Sequence, residues 1–265
     1  MKVHEMKYTN TNTYLIEGDT GNLLFDTGWA GSFKAFCNVM GEKHIPVQDI
    51  RYIMISHFHP DHMGIAQEIA DLGATIVVMD VQKNYVHAAD SIFEKENNTH
   101  FVPIIDDRVK IVRIEESRQF LQTMGIDGEV IHTPGHSDDS ISLYLDTGEL
   151  FVGDLNPLYE LELHKGKQIE DSWNRLMKLN PKKVYYGHAK VAELGVINKV
   201  PRESGDRYEL VSRIMKYIDK GVSLEKIQKK TGADSTFVED VARMYLTHQN
   251  VGIQGILDRI EIKGK

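Results

Sequence analysis

Along the first 190 residues the spacing of apolar positions switches repeatedly between a period near two and a period near 3.6. Thr13-Tyr14-Leu15-Ile16-Glu17, a Gly18-Asp19-Thr20-Gly21 turn and Asn22 to Asp26 predict an antiparallel strand pair. Arg51 to Ile55 is a β-branched apolar run that predicts a buried strand, and Gly64 to Leu72 carries apolar residues at helical spacing. Residues 29–46 predict a helix with flanking loops, Ala74 to Met79 a strand, and Asp80 to Lys95 a helix ended by Asn97-Asn98-Thr99-His100. Further strands are expected at Val130 to His132, Ser140 to Leu145, Leu150 to Val152 and Lys183 to Tyr186. Leu155 to Gln168 is expected to be an irregular loop, and Ile169 to Leu179 a helix. No internal repeat or low-complexity stretch interrupts the order.

From about residue 206 the texture becomes helical: Arg207 to Lys220, Ser223 to Thr231 and Ser235 to His248, with Ser223 and Ser235 as N-caps. The stripes Leu210, Ile214, Tyr217, Ile218 and Val238, Val241, Ala242, Tyr245 need burial, against the rest of the chain or a second copy. Two domains are therefore expected, 1–205 and 206–265. The pattern from Leu224 to Met244 faintly resembles a helix-turn-helix, but basic side chains only mildly outnumber acidic ones there and form no dense stripe, so no nucleic acid is expected as a partner.

The chemistry gathers where strands end. His57, His59, Asp61 and His62 lie within six residues on a strand-to-helix loop, the place where α/β sheets bind ligands. His136 follows the Thr133-Pro134-Gly135 turn, Asp154 ends the Leu150-Phe151-Val152-Gly153 run, and His188 ends Lys183-Val184-Tyr185-Tyr186-Gly187. Gly153 and Gly187 each precede a polar residue, where backbone must pass close to a neighbour or take positive φ. Five His and two Asp are ligands enough for two metal ions, and imidazole with carboxylate suits zinc, iron or manganese.

In order along the chain, Leu23-Leu24-Phe25-Asp26-Thr27-Gly28, His57-x-His59-x-Asp61-His62, Thr133-Pro134-Gly135-His136, Gly153-Asp154 and Gly187-His188 resemble the metallo-β-lactamase superfamily over residues from about 12 to 190. The resemblance implies an α/β fold, an αββα sandwich with two sheets face to face, here carrying a C-terminal helical appendage. It implies that His57, His59 and His136 hold one metal, that Asp61, His62 and His188 hold the other, and that Asp154 bridges them. Asp26 would orient the ligand loop without binding metal. Two divalent ions, zinc in the first instance, would share a hydroxide as nucleophile, with Asp61 and Asp154 the carboxylates able to move a proton.

Bulk properties trim the substrate. The net charge of −8 disfavours a polyanion; His59 stands where an oxygen-reducing branch has glutamate, and no ligand cysteine is present. A small ester-like molecule remains: lactone, thioester or phosphodiester. The alternatives are β-lactam hydrolysis, nucleic-acid cleavage, iron-dependent oxidation, or a non-catalytic metal-dependent sensor with a helix-turn-helix-like tail. Tyr159 and His164 are candidate donors to a substrate oxygen, and Trp29, Phe33, Tyr85 and His87 candidate wall residues, with packing or exposure the competing role for each. No apolar run approaches the ~20 residues of a membrane span, the first residues lack an apolar signal, and the lone Cys37 suits a reducing cytoplasm. The expected setting is cytoplasmic, without membrane contact, and homodimerisation would run through the C-terminal helices.

Overall fold

The computed structural model describes residues 1–194, 206–247 and 252–263. The expected boundary at 205/206 and the expected helix end at His248 fall outside the described residues. The first part of the chain runs β1 (Val3–Met6), β2 (Thr13–Ile16), β3 (Asn22–Phe25), α1 (Phe33–Glu42), β4 (Ile50–Met54), α2 (Pro60–Met63), α3 (Ala66–Ala70), β5 (Thr75–Met79), α4 (Asp90–Lys95) and β6 (Val109–Val112). It continues through α5 (Ser117–Gln122), β7 (Gly128–His132), β8 (Ile141–Leu145), β9 (Glu149–Phe151), α6 (Gln168–Leu176), β10 (Lys183–Tyr185) and β11 (Ala192–Glu193). Among the described residues four helices follow: α7 (Asp206–Asp219), α8 (Leu224–Thr231), α9 (Ser235–Thr247) and α10 (Ile253–Lys263).

The strands form two sheets, ordered β1-β2-β3-β4-β5-β6 and β11-β10-β9-β8-β7. Strand periodicity builds the layers, because successive side chains leave opposite faces. Tyr14, Ile16, Leu23 and Phe25 point inward and meet Leu143, Leu145, Phe151 and Tyr185 of the second sheet. Phe25 and Phe151 have ring centroids 5.8 Å apart, and Phe151 stacks on Tyr185 at 4.7 Å. The alternate residues Leu15, Leu24, Ile53 and Ile76 pack outward under Phe36, Met40 and Ile69 of α1 and α3. On the far side Leu150, Val152 and Val184 pack under Trp173 and Leu176 of α6. The expected αββα sandwich is thus present, with helices on both outer faces.

Several local expectations change. The helix expected from Gly64 to Leu72 is two short pieces, and the first begins inside the ligand motif at Pro60, whose fixed φ and missing N–H suit a first helical position. The expected helix Asp80 to Lys95 is a 3-10 turn at Asp80–Gln82 and, later, α4. Gln82 breaks it by turning inward, where its amide donates to Ile55 O at 2.9 Å and Asp139 O at 3.1 Å. Within the loop expected at 155–168, Leu158–His164 is a 3-10 segment. Strands β1 and β6 and helices α5 and α10 are additional to the sequence reading; both strands are sheet edges with weak alternation.

The C-terminal stripes also settle differently. Val211, Ile214, Ile227, Val238, Val241, Met244, Ile256 and Leu257 form a core of their own, with Leu210, Tyr217, Ile218 and Tyr245 packed against it. Among the described residues that cluster contains nothing from the sandwich, because α10 supplies the apolar surface that three helices alone lacked. No described helix is long and apolar enough to cross a membrane.

The inter-sheet core holds the two layers together. Phe25 is fully buried between the sheets, so Phe25→Ala should destabilise the protein by about 3–5 kcal/mol, transfer and cavity together. Urea unfolding followed by circular dichroism measures this; a loss below about 1 kcal/mol would show that the sheets do not depend on this contact.

Candidate metal centre

All seven expected ligands converge at one edge of the sandwich, where four strand ends meet. The turn after β4 carries His57 and His59 and runs into α2 with Asp61 and His62; the β7–β8 loop carries His136, and Asp154 and His188 follow β9 and β10. Main-chain bonds lock these ends together: Ile141 N donates to Ser56 O at 2.8 Å across the two sheets, and Gly187 N to Gly153 O at 2.7 Å within one. The side chains form two groups, His57-His59-His136 and Asp61-His62-Asp154-His188, each with ligand atoms within 4.8 Å of one another.

In the first group His57 Nε2 lies 3.0 Å and His136 Nε2 3.2 Å from His59 Nδ1. In the second, His188 Nε2 is 2.8 Å from Asp61 Oδ2 and 3.4 Å from Asp154 Oδ2, and His62 Nε2 is 3.2 Å from Asp154 Oδ1. Asp154 Oδ2 also lies 3.6 Å from His136 Nε2, so this carboxylate faces both groups. Gly187 makes the approach possible: a Cβ there would sit 2.5 Å from Asp154 Oδ1 and 2.9 Å from the His62 ring. Gly153 has φ +54, the left-handed conformation that the sequence anticipated before Asp154.

The donor set fits a pair of cations. His62 Nε2 and Asp154 Oδ1, though 3.2 Å apart, are buried without a well-directed hydrogen bond, which is costly unless another group satisfies them. Three ring nitrogens aimed at one another in the first group cannot all be satisfied mutually, since a neutral imidazole has a single N–H. The opposite ring nitrogens are already engaged. His57 Nδ1 meets Ser56 Oγ at 3.0 Å, His62 Nδ1 meets Asp26 Oδ2 at 2.9 Å, and His188 Nδ1 meets the Asn10 carbonyl at 3.0 Å. Each bond, with the proton on Nδ1, leaves an Nε2 lone pair directed into the centre.

Asp26 plays the part expected of it. Its residue sits at φ 64 directly after β3, and its carboxylate accepts from Ser56 N at 2.7 Å, from Ser56 Oγ at 2.9 Å and from His62. Sequence reasoning missed Ser56, Asp139 and Asn10. Asp139 accepts from Phe58 N at 2.7 Å and so fixes the turn between His57 and His59. Ser56 and Asp139 stand within or beside the ligand motifs, which is the one signal that could have exposed them.

The candidate pocket residues fare less well. Tyr159 is engaged elsewhere, its hydroxyl donating to Asp258 Oδ2 at 2.7 Å, and His164 is buried at 2% exposure. Tyr159 is therefore withdrawn as a free donor to a substrate, whereas both ring nitrogens of His164 lack a hydrogen-bond partner. Phe33 and Tyr85 pack against the core beneath α1 and α3. His87 bridges Asp90 and Asp106 at the surface, 3.0 Å and 3.1 Å away. Trp29 is half-buried, with its indole N–H on Asn10 Oδ1 at 2.7 Å, close to His188.

Electrostatics divide the two groups. Burial, then His62 and His136, push His57 well below the ordinary imidazole value, and burial takes His136 down to about 4. Burial would also lower His62, but Asp154, Asp61 and Asp26 outweigh it and raise it well above that value; His188 rises under Asp154 and Asp61. Against the burial that would raise them, Asp154 is lowered by His188 and His62, and Asp61 by His62 and His188.

Residues 7–188 match the sequence profile of the metallo-beta-lactamase superfamily. The chain belongs to that superfamily. A Drosophila melanogaster protein named beta-lactamase-like protein 2 homolog is 25% identical over 193 residues, covering 71% of this chain and 61% of that protein, so the chain spans less than two thirds of that relative's length. An atrochrysone carboxyl ACP thioesterase of Claviceps purpurea is 25% identical over 153 residues, 56% of this chain and 40% of that one. A metallo-beta-lactamase family protein from Thermus thermophilus shares the fold at a TM-score of 0.57 and 18% identity, covering 98% of this chain and 92% of that chain.

Two expectations follow for this superfamily member. Asp26→Ala should weaken metal binding by about 10–100-fold, the usual loss when an outer partner of a ligand is removed; competition with a chromophoric chelator reads it, and unchanged affinity would assign Asp26 a purely structural part. Neighbouring carboxylates raise His62 well above, and His188 above, the ordinary imidazole value, which favours their protonated forms before metal arrives. Metal binding must displace those protons, so affinity should rise with pH above about 6.5. Calorimetry in buffers of differing ionisation enthalpy should detect proton release on zinc binding, and no release at pH 7 would contradict the protonated imidazoles.

Proposed function

We propose that the protein is a metal-dependent hydrolase acting on a small ester-like substrate, a lactone, thioester or phosphodiester. The observation that carries this reading is Asp154, one buried carboxylate with an oxygen 3.2 Å from His62 and the other 3.6 Å from His136, facing both groups of ligands. His57, His59 and His136 would hold one ion, Asp61, His62 and His188 the other, and Asp154 both. Zinc is the first choice, with iron and manganese compatible with the same nitrogen and oxygen donors. Bound together, two such ions lower the pKa of water from 15.7 towards about 7 and polarise a substrate oxygen.

The chain's own contribution is to hold the donors and to handle protons. Asp26, Ser56 and the Asn10 carbonyl orient His62, His57 and His188, which keeps their Nε2 atoms directed inward. Asp61 and Asp154, both held ionised by neighbouring imidazoles, are the carboxylates able to accept a proton from an attacking water and pass it to a leaving group. Among ester-like substrates the name of the Claviceps purpurea relative favours a thioester. The net charge of −8 weighs against a nucleic-acid substrate or partner. The lone Cys37 suits a cytoplasmic setting, and 206–265 is taken as a second domain, with homodimerisation as its further use.

A panel of thioesters, lactones, phosphodiesters and β-lactams, assayed at known metal content, tests the reading. Turnover of one of the first three classes is expected. It should fall roughly a thousandfold or more in Asp154→Ala and in His59→Ala, since water activation spans several pKa units, while circular dichroism stays unchanged. Near-native turnover in either variant, or hydrolysis confined to β-lactams, would overturn it.

A further inference from the structure

Helix α10 meets the segment that follows Asp154 through buried polar groups. Two carboxylates form this seam. Asp258 of α10, 3% exposed, accepts from the Tyr159 hydroxyl at 2.7 Å and from Gln254 Nε2 at 3.0 Å. Glu160, 2% exposed, accepts from Gly252 N just ahead of α10 at 2.7 Å and from Asn156 Nδ2 at 3.0 Å. Gly255 lets the two surfaces close: a Cβ there would collide with Glu160 Oε1, and it would lie 3.0 Å from Arg259 Nη1.

The segment gripped in this way is the one that leaves Asp154. Asn156 lies two residues beyond that carboxylate; its amide serves Glu160, and its carbonyl accepts the Trp173 indole N–H at 2.8 Å. The chain from Asp154 to Glu160 is therefore tied at one end to the ligand cluster and at the other to α10. Tyr186, two residues before His188, is buried beside the same seam, and Asp258 and Glu160 reinforce the burial that raises its phenol. An apolar join would have been simpler to bury. Buried carboxyl groups with a donor on each oxygen instead favour a single geometry, because a shift leaves an oxygen without its donor.

We propose that α10 is a positioning element for the metal centre: the Tyr159–Asp258 and Glu160–Gly252 bonds hold the 155–160 chain and, through it, Asp154. The residues involved touch no metal and no substrate, and they act through Asp154. The inference rests on the metal-binding reading of Asp154 above, but not on the identity of any substrate.

Gly255→Ala is the sharpest probe. It removes no hydrogen-bonding group and alanine is the better helix former, so it wedges the seam open without weakening α10. Hydrogen exchange of the full chain should show amides at 155–164 exchanging about tenfold faster in Gly255→Ala and in Tyr159→Phe, with α7 to α9 unchanged. Zinc titration should show the weaker of the two sites losing affinity by about 3–10-fold, less than the loss from a direct partner of a ligand. Asp258→Asn, which keeps an acceptor for Tyr159, should retain protection that Asp258→Ala loses. Native exchange and native zinc affinity in both Gly255→Ala and Tyr159→Phe would overturn the proposal, as would loss of protection throughout α7 to α9, which would mean that the seam only supports the bundle. Failure to bind zinc in the unmodified protein would instead sink the metal reading.

Discussion

The cluster of candidate ligands depends on one buried carboxylate, Asp26, that belongs to neither group. Asp26 stands where β3 ends, its main-chain N–H bonded to Met54 O at 2.9 Å, so the parallel pairing of β3 with β4 sets its position. Its two oxygens accept from the Ser56 N–H, the Ser56 hydroxyl and His62. A carboxylate buried to this degree is tolerable only when its lone pairs are used, and here all the donors come from the ligand loop. The register of a sheet is thereby converted into the orientation of an imidazole. The left-handed backbone at Asp26 is the local strain that this requires, and Asp tolerates that region better than most residues.

The seven converging side chains were legible in the sequence because each ends a strand whose period is easy to see, and because Gly or Pro marks the turn beside it. Of what holds them, only Asp26 was, and that through the family resemblance; its partners and the other supports were not. Asp26 and Ser56 are 30 residues apart, Asp139 and Phe58 are 81 apart, and Asn10 and His188 are 178 apart. Such pairs follow from sheet topology, which periodicity does not encode. Tyr159 shows the same limit from the other side. Its distance along the chain from Asp154 suggested a substrate donor, whereas its partner lies 99 residues further on. Helix α10 escaped notice because Gly255 interrupts an otherwise helical apolar pattern, and Gly is a poor interior helix residue. The close packing on Glu160 explains why it is there.

Two kinds of contact divide the molecule by purpose. Between the sheets, and between sheets and helices, the join is apolar, and rings such as Phe25, Phe151 and Tyr185 fill it. Apolar packing is strong but forgiving, since small slips keep most of the buried area. Around the ligands and at the α10 seam the joins are hydrogen bonds between buried polar groups, which tolerate little displacement. The C-terminal helices follow the same division: they bury their stripes in a core of their own and meet the sandwich through carboxylates.

The protonation pattern explains how so many like-charged and lone-pair-bearing groups can share one small volume. Asp61 and Asp154 are held ionised, and these carboxylates in turn favour the charged forms of His62 and His188. Those raised imidazoles stabilise the metal-free fold fully below their unfolded value near 6.5, and the contribution fades as pH rises through their folded values. Metal binding becomes easier over that same rise, because fewer protons must leave. Protons and cations thus occupy one electrostatic position in turn, and the carboxylates are never left buried without a counter-charge. In the first group His57 and His136 are kept neutral by burial, so they require no deprotonation to become ligands. The two halves should therefore respond differently to acid. A metal held by Asp61, His62 and His188 would be displaced by protons first, while at His57 and His136, whose basicity burial lowers, protons would compete only at lower pH.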